Sequence, residues 1–210
     1  MDYLKELIER YPNLSVCKTS IYDAYKILVS VYEARGKLLI AGNGGSAADA
    51  GHIAGELMKS FVKKRNTPPS FYNALCGITN AETAGFLSAK LQRGLPAIDL
   101  SNHNPVITAV INDIGAETMY AQQVYSYAHE NDAFIGISTS GNSENVYLAM
   151  LTAKALAVKT IALTGSSGGK LAKTADVSIK VPETETYKIQ ELHLPVYHCI
   201  CLMLEEYFFE

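Results

Sequence analysis

The feature that most constrains the fold is a regular alternation of short apolar segments with longer segments of helical periodicity. We predict strands at five apolar runs, KLLIA (37–41), PAIDL (96–100), AFIGIS (133–138), KTIALT (159–164) and DVSIKV (176–181). Strands that alternate with helices predict an α/β fold, in which helices flank a five-stranded parallel sheet on both faces. Such folds bind ligands beyond the carboxyl ends of their strands, so a site is expected in the loops that follow them.

Most of the remaining chain is predicted to be helical. N-terminal helices are expected within residues 1–35, and further helices at about 46–62, 104–111, 117–128, 143–157 and 186–208. Residues 66–94 do not fit the alternation, because they are long for a connection in a compact domain. We interpret them as an insertion into a single domain of residues 1–210, with one helix at about 80–91. The insertion is a surface excursion, an oligomer contact or a lid.

Composition limits the classes of function. Hydrophobic residues make up 48% of the chain and charged residues 19%, so a packed core is expected. The net charge of −3 argues against general nucleic-acid binding, which needs a basic face. No apolar run reaches the roughly 18 residues of a membrane span. The four cysteines form no CxxC pair and the charged N terminus does not resemble a signal peptide, so we expect reduced thiols in a cytoplasmic protein.

A glycine-rich loop, Gly42-Asn43-Gly44-Gly45, follows the first predicted strand and leads into a helix expected to start at Ser46. Glycines let the backbone approach a ligand, and the free N–H groups of a helix start favour an anion such as phosphate. The pattern G-x-G-x-x-A, completed by Ala47, is also compatible with a dinucleotide. That alternative predicts an acidic residue closing a second strand about 20 residues later. The chain has Val62-Lys63-Lys64-Arg65 there, so no nucleotide cofactor is expected.

A second polar loop, Ser138-Thr139-Ser140-Gly141-Asn142-Ser143, follows the third predicted strand. Its hydroxyl and backbone N–H groups are able to hold a phosphate without a lysine. A helix cap needs only one such residue, Asn142 or Ser143, so six polar or glycine residues in a row favour phosphate binding. A third loop at 164–170 is similar but weaker, and a plain turn explains it equally well.

Two predicted helices carry residues typical of metal sites and acid/base chemistry. His52 and Glu56 are four residues apart and therefore share one helix face, although an ordinary surface pair is an alternative. On the last predicted helix, Gln190 shares a face with His193 or with His198, and the spacing slightly favours His193. These side chains favour either a zinc or other divalent-metal site or an acid/base pair.

Pro195 lies between the two histidines of the last predicted helix. A proline inside a helix removes one backbone hydrogen bond and clashes with the preceding turn. We therefore expect the helix to kink or to end its first part there, which blurs the question of which histidine faces Gln190.

Five motifs occur in order along the chain, GNGGSAADAGHIAGEL, INDIG, GISTSGNSENV, LTGSSGGKLA and KIQELHLPVYH. Together they resemble the sugar isomerase (SIS) domain family, and within it the phosphoheptose isomerases, over nearly the whole chain apart from about 66–94. The resemblance implies a three-layer flavodoxin-like fold and a homotetramer with active sites between subunits. It also implies conversion of sedoheptulose 7-phosphate to D-glycero-D-manno-heptose 7-phosphate through an enediol, for which one carboxylate and one imidazole are able to shuttle the protons.

The resemblance also implies roles for individual residues. Phosphate ligands are expected at Ser138, Thr139, Ser140 and Ser143, and substrate contacts at Asn43, Gly44, Gly45, Ser46, Glu56, Asn112, Asp113 and Gln190. Glu56 and His198 match the family's acid/base pair. His52, Glu56, Gln190 and His198 match the positions that bind zinc in zinc-containing members, which selects His198 over His193 and implies one zinc per subunit. Zinc that took Glu56 and His198 directly would compete with their use as free acid and base.

Other functions within the same family are alternatives. The DnaA initiator-associating proteins keep the fold and the glycine loop but depart at the catalytic glutamate and the last histidine. The presence of Glu56 and His198 therefore favours an enzyme over such an adaptor. A sugar-phosphate-sensing regulator would need the phosphate loop but not the acid/base pair. An isomerase for another sugar phosphate is the remaining alternative, because the insertion follows the Glu56 helix and could reshape the pocket.

Overall fold

The computed structural model describes residues 2–209, which contain a single parallel sheet of five strands. The strands are β1 (Leu38–Gly42), β2 (Ala97–Asp99), β3 (Ala133–Ser138), β4 (Lys159–Thr164) and β5 (Val177–Lys180). Their order across the sheet is β2-β1-β3-β4-β5, with every neighbouring pair parallel. The five predicted strands and their parallel arrangement are confirmed.

Ten α-helices lie within the same residues. They are α1 (Tyr3–Arg10), α2 (Lys18–Glu33), α3 (Gly45–Met58), α4 (Pro69–Cys76), α5 (Ala81–Lys90), α6 (Asn104–Asp113), α7 (Met119–Tyr127), α8 (Glu144–Ala155), α9 (Gly169–Thr174) and α10 (Thr186–Phe208). Short 3-10 segments occupy Pro12–Cys17, Leu100–Asn102 and Ala116–Thr118. The helix predicted at 46–62 ends early, at Met58, because the backbone of Lys59 is already extended. Among residues 2–209, no helix has both the length and the hydropathy that a membrane span requires.

Two apolar clusters, one on each face of the sheet, hold the layers together. Within β1, Leu38 and Ile40 belong to one cluster, whereas Leu39 and Ala41 belong to the other, because successive strand residues point to opposite faces. Helices α1, α2, α3 and α10 cover the first face, and α7 and α8 cover the second. This arrangement confirms the predicted three-layer fold.

The sheet has a topological switch point at β1. The chain leaves β1 to form β2 on one side, and then crosses to form β3 on the other side. Ligands of open α/β sheets bind at such a point, in the crevice outside the carboxyl ends of the strands. The glycine loop after β1 and the serine loop after β3 border that crevice.

Helix α10 runs without a break from Thr186 to Phe208, with Pro195 inside it. The expectation that Pro195 ends the first part of this helix is therefore wrong. A proline removes one helix hydrogen bond, but Leu192 and Val196 on either side are buried in the core and hold the helix in place. Gln190 and His198 consequently lie on one continuous helix.

Residues 66–94 form a helical hairpin rather than an irregular loop. Helix α5 confirms the helix predicted at 80–91, whereas α4 was not predicted. Pro69 occupies the start of α4, where the missing N–H has no helical partner to lose. An antiparallel bridge between Asn66 and Gln92 closes the hairpin.

Candidate active site

A polar cavity of about 370 Å³ opens in the crevice between β1 and β3. Both predicted binding loops contribute to it, and no charged side chain does. Its lining consists of Asn43, Gly44, Gly45, Ser46, Ile137, Ser138, Thr139, Ser143, Thr186 and Gln190. Helices α3 and α8 both begin beside the cavity, so the positive ends of two helix dipoles lie next to it. Dipoles and hydroxyl groups favour an anion there.

The glycine loop takes a shape that other residues do not readily adopt. Gly44 has a φ of 56°, a left-handed conformation that glycine adopts without steric penalty. A Cβ atom on Gly45 would lie 2.5 Å from Nε2 of Gln190. The absence of a side chain at Gly45 thus allows Gln190, on α10, to reach the loop after β1.

The serine loop is braced by its own hydroxyls and by the loop after β4. The Oγ atoms of Ser138 and Ser143 are 2.9 Å apart. Gly141 has a φ of 67°, and a Cβ there would lie 2.0 Å from the carbonyl oxygen of Gly168. The N–H of Lys170 donates to Oδ1 of Asn142 at 3.1 Å. The third polar loop therefore supports the second, rather than lining the cavity itself.

A second polar cluster lies where α3 packs against α10. Nε2 of His52 is 3.2 Å from Oε1 of Glu56 and 3.3 Å from Nε2 of His198. Oε2 of Glu56 has no hydrogen-bond partner among the described residues, although the Lys59 ammonium is 3.7 Å away. Phe61 packs against the His198 ring, with 5.2 Å between the ring centroids.

Two neighbours of this cluster were not predicted. The hydroxyl of Tyr197 lies 3.0 Å from Nδ1 of His52 and donates to Oδ1 of Asp49 at 3.2 Å. The available signals were weak, because Tyr197 merely precedes His198 and Asp49 lies one helical turn before His52.

Burial shifts the pKa of His198, Asp49 and Tyr197. Desolvation, followed by the charge of nearby His52, lowers the pKa of His198, and Glu56 opposes the change. Burial raises the pKa of the Asp49 carboxyl, partly offset by the Tyr197 hydrogen bond and by His52. Burial and Asp49 raise the pKa of the Tyr197 phenol. The lowered pKa of His198 favours its neutral imidazole, the form that is able to accept a proton.

The other predicted residues lie elsewhere. Gln190 borders the cavity, and His198 follows eight residues later, about 12 Å further along the helix at 1.5 Å per residue. Asn112 and Asp113 are exposed at the end of α6, bonded to each other at 2.7 Å, and do not line the cavity. His193 is fully buried and does not join the cluster. The structure thus brings His198, rather than His193, to His52 and Glu56.

The fit to a metal ion is incomplete. Within residues 2–209, no three histidine, cysteine, aspartate or glutamate side chains are arranged to hold a metal ion. Three donor atoms of His52, Glu56 and His198 nevertheless follow one another at 3.2 and 3.3 Å. Two ligands of a tetrahedral zinc lie about 3.4 Å apart, given bonds of about 2.0–2.1 Å. The donor types and spacings suit zinc. A complete set of four ligands, with Gln190 as the fourth, stays a prediction.

Comparison with known proteins extends this description. The SIS domain family matches residues 81–165. The chain is 35% identical to the phosphoheptose isomerase of Aneurinibacillus thermoaerophilus, covering 99% of this chain and 95% of that protein. It is 40% identical to the phosphoheptose isomerase of a Nitratiruptor species, covering 90% of this chain and 86% of that protein.

Solved structures agree. The phosphoheptose isomerase of Francisella tularensis superposes with a TM-score of 0.76 at 31% identity, covering 97% of this chain and 95% of that one. The enzyme from Neisseria gonorrhoeae gives 0.75 at 30% identity, covering 96% and 94%. The fold, the polar crevice and these relatives lead to one conclusion: the chain belongs to the phosphoheptose isomerase family of SIS-domain proteins.

Proposed function

We propose that this protein is an isomerase that converts sedoheptulose 7-phosphate to D-glycero-D-manno-heptose 7-phosphate. The observation that carries the proposal is the meeting of Glu56, His52 and His198 on the two helices that also border the polar cavity. A sensor or adaptor would need the cavity but not the carboxylate and imidazole on the same two helices.

The cavity between β1 and β3 is the proposed phosphate and sugar site. Ser138, Thr139 and Ser143, which line the cavity, donate hydroxyl or backbone hydrogen bonds to the phosphate, and the start of α8 adds its dipole. Ser140, the fourth predicted phosphate ligand, does not line this cavity and would donate from its rim. Residues 43–46 and Gln190 contact the sugar hydroxyls. Neutral donors and helix dipoles are sufficient because the lining includes no carboxylate that would repel the phosphate.

The reaction moves a carbonyl from C2 to C1. In the proposed mechanism, the Glu56 carboxylate removes a proton from C1, and the C1–H electron pair forms the C1–C2 double bond of an enediol. The neutral imidazole of His198 transfers a proton between the two oxygens, protonating O2 and deprotonating O1. Return of the proton to C2 completes the aldose, so protons and electrons balance without an oxidant. General acid–base transfer of this kind contributes about 10²–10⁴ in rate.

We propose one zinc ion per subunit, held by His52, Glu56, His198 and Gln190, as an alternative to the use of Glu56 and His198 as a free base and a free proton carrier. The imidazole and carboxylate donors, and their separations of 3.2 and 3.3 Å, support it. Zinc would polarise the substrate carbonyl. Elemental analysis of protein purified without chelator tests this assignment, and a zinc content near zero in folded, active protein would remove zinc from the mechanism.

We propose a cytoplasmic homotetramer with active sites between subunits. Its support is the exposed apolar side chains of Ile78 and Phe86 in the hairpin and of Ile114 after α6, which are 82%, 61% and 61% exposed. The four cysteines are all free thiols, which suits a reducing compartment. Asn112 and Asp113 would contact a sugar only across a subunit interface. Light scattering after gel filtration measures the mass, and a monomer would contradict the assembly.

The deciding experiment is incubation of the purified protein with sedoheptulose 7-phosphate, with and without added zinc, while the aldose product is followed by NMR. We expect the heptose aldose to accumulate to equilibrium. Parallel incubations with five- and six-carbon ketose phosphates measure the selectivity. Faster turnover of a shorter ketose would reassign the substrate, and no turnover of any would reject the isomerase.

A further inference from the structure

The hydroxyl of Tyr197 is placed between an acidic and a basic side chain of α3. It lies 3.2 Å from Oδ1 of Asp49 and 3.0 Å from Nδ1 of His52. Tyr197 is 3% exposed, so water does not compete for these contacts. Oδ2 of Asp49 has no hydrogen-bond partner within residues 2–209, so the carboxylate depends on the phenol.

The chemistry of the three groups fixes the direction of both hydrogen bonds. A carboxylate only accepts, and a phenol has one hydrogen to give. Because a buried carboxylate without a donor is costly, the phenol hydrogen goes to Asp49. The phenol oxygen is then left as an acceptor for His52, which must supply its hydrogen from Nδ1.

This polarity determines what the other side of the His52 ring offers. A neutral imidazole with its hydrogen on Nδ1 has a lone pair on Nε2. That lone pair faces Oε1 of Glu56 at 3.2 Å and Nε2 of His198 at 3.3 Å. The lone pair of His52 and the Glu56 carboxylate repel each other unless a proton or a cation lies between them, so this arrangement favours a transferred proton or a cation at that place.

We propose that Tyr197 and Asp49 are a positioning pair that fixes the tautomer of His52, with the hydrogen on Nδ1 and the lone pair on Nε2. The proposal rests on the proposed function, because it assigns His52 to the same site. Tyr197 acts through His52 and is not a catalytic residue. A phenylalanine at this position would keep the edge-to-face ring contact, 5.4 Å between centroids, and would lose only the hydroxyl.

The test compares Tyr197→Phe with Tyr32→Phe at one fixed pH. Tyr32 is the matched control, because it is also buried and donates its hydroxyl to a backbone carbonyl, that of Pro96 at 3.3 Å, away from both the cavity and the α3–α10 cluster. Nitrogen-15 NMR of the metal-free proteins reports the His52 tautomer directly, with the resonance assigned by its loss in His52→Gln. Zinc affinity is measured by competition with a chelating dye.

We expect wild type and Tyr32→Phe to carry the hydrogen on Nδ1 of His52, and Tyr197→Phe to move it to Nε2. Zinc affinity should fall roughly 10–100-fold in Tyr197→Phe, as for other groups that orient a metal-binding histidine. In turnover assays kcat should fall while KM stays within twofold, because the cavity between β1 and β3 is untouched. Asp49→Asn, whose amide is able to donate to the phenol oxygen, should also move the hydrogen to Nε2.

An Nε2 hydrogen in wild type would overturn the proposal. So would a tautomer and a zinc affinity in Tyr197→Phe that match those of Tyr32→Phe. Should Tyr197→Phe fail to fold, Asp49→Asn decides by the same two readouts. Neither readout needs turnover, so an absence of isomerase activity alongside the expected tautomer would reject the proposed function alone.

Discussion

Two polar clusters lie near the end of α3 and the facing part of α10, and they differ in how completely their polar atoms are hydrogen-bonded. In the buried pair of Arg65 and Glu205, every side-chain nitrogen and carboxylate oxygen has a hydrogen-bond partner. The cluster of His52, Glu56 and His198 leaves Oε2 of Glu56 without a hydrogen-bond partner among the described residues. A cluster that holds a fold gains from complete pairing, whereas a cluster that binds and releases protons must keep lone pairs available to its substrate.

The cluster of Arg65 and Glu205 is held by hydrogen bonds from both side chains and from the backbone. Glu205 accepts hydrogen bonds from the backbone N–H groups of residues 61–63, at 2.9, 2.9 and 3.1 Å, and from Nε of Arg65 at 2.8 Å. Arg65 also donates to the carbonyl oxygens of Leu57 at 2.7 Å and Glu56 at 3.0 Å. Burial alone would raise the pKa of Glu205, but these hydrogen bonds together hold it below its usual range.

Glu56 belongs to both clusters. Its backbone carbonyl is held by Arg65, and its carboxylate belongs to the site. The cluster of Arg65 and Glu205 therefore fixes the backbone of Glu56. This limits the movement of the Glu56 carboxylate relative to His198.

The largest expected effect comes from removing the acid or the base of the cluster formed by His52, Glu56 and His198. Glu56→Gln and His198→Ala should each lower kcat by roughly 10²–10⁴, because general acid–base transfer accounts for about that much. The free energy of unfolding should change little in Glu56→Gln, because glutamine keeps the size of the side chain and an oxygen that is able to stay near His52. His198→Ala should cost more stability, because it removes a ring that packs against Phe61. Steady-state kinetics and urea unfolding measure the two quantities. Full activity in both variants would remove these residues from their assigned roles.

For the cluster of Arg65 and Glu205, we expect a loss of stability rather than a loss of activity. Glu205→Gln should lower the free energy of unfolding by about 3–5 kcal/mol, because it leaves the Arg65 guanidinium buried without its counter-charge. Urea unfolding measures this loss. The control is Glu144→Gln, which breaks an exposed ion pair with Lys170 and should change the unfolding free energy by at most about 1 kcal/mol. Equal effects of the two variants would mean that the buried ion pair of Glu205 contributes no more to the free energy of unfolding than an exposed ion pair.

His193 sharpens the comparison, because it is buried on α10 without belonging to either cluster. Neither ring nitrogen makes a hydrogen bond of normal geometry among the described residues, although the Thr164 backbone lies near the ring. Burial lowers its pKa to about 4, and the Thr164 backbone acts weakly in the opposite direction. The unfolded chain takes up this proton near pH 6.5, but the folded chain does so only near pH 4.

Stability from His193 is therefore complete above pH 6.5 and is lost as the pH falls towards 4, by about 3 kcal/mol in all. Urea unfolding across this range should show the loss in wild type. His193→Asn should have a shallower dependence over the same interval. An unchanged slope in the variant would assign the acid sensitivity to other groups.

The smallest effect is expected in the cavity between β1 and β3. Ser138→Ala removes one hydroxyl donor and the contact with Ser143 at 2.9 Å. A hydrogen bond to a charged group contributes about 1.5–3 kcal/mol, so KM should rise at least about tenfold while kcat changes little. Initial rates over a range of substrate concentration separate the two constants. A fall in kcat without a change in KM would place Ser138 in the chemistry rather than in phosphate binding.

Much of the architecture could be predicted from local patterns. The strands, the glycine and serine loops and most helices follow from periodicity and from turn residues, which act over a few positions. Helix α4 was missed because proline punctuates loops as often as it starts helices. The helix does not end at Pro195, because burial of Leu192 and Val196 outweighs one lost hydrogen bond.

The site could be predicted only in part. His52 and Glu56 share a helix turn, so their pairing is visible in the spacing. The contacts of Tyr197 with Asp49, and of Glu205 with Arg65, join residues about 140 or more positions apart. No local pattern carries that information, because it depends on how α10 packs against α3.

The double role of Glu56 has an evolutionary consequence. Arg65 touches neither the cavity nor His198, yet a change there would displace the carbonyl next to the reactive carboxylate and would register as lost activity. Replacement of Arg65 should be tolerated only together with a compensating replacement of Glu205. Positions 65 and 205 are therefore expected to vary as a pair, and natural selection for catalysis would be visible at two residues that never meet the sugar.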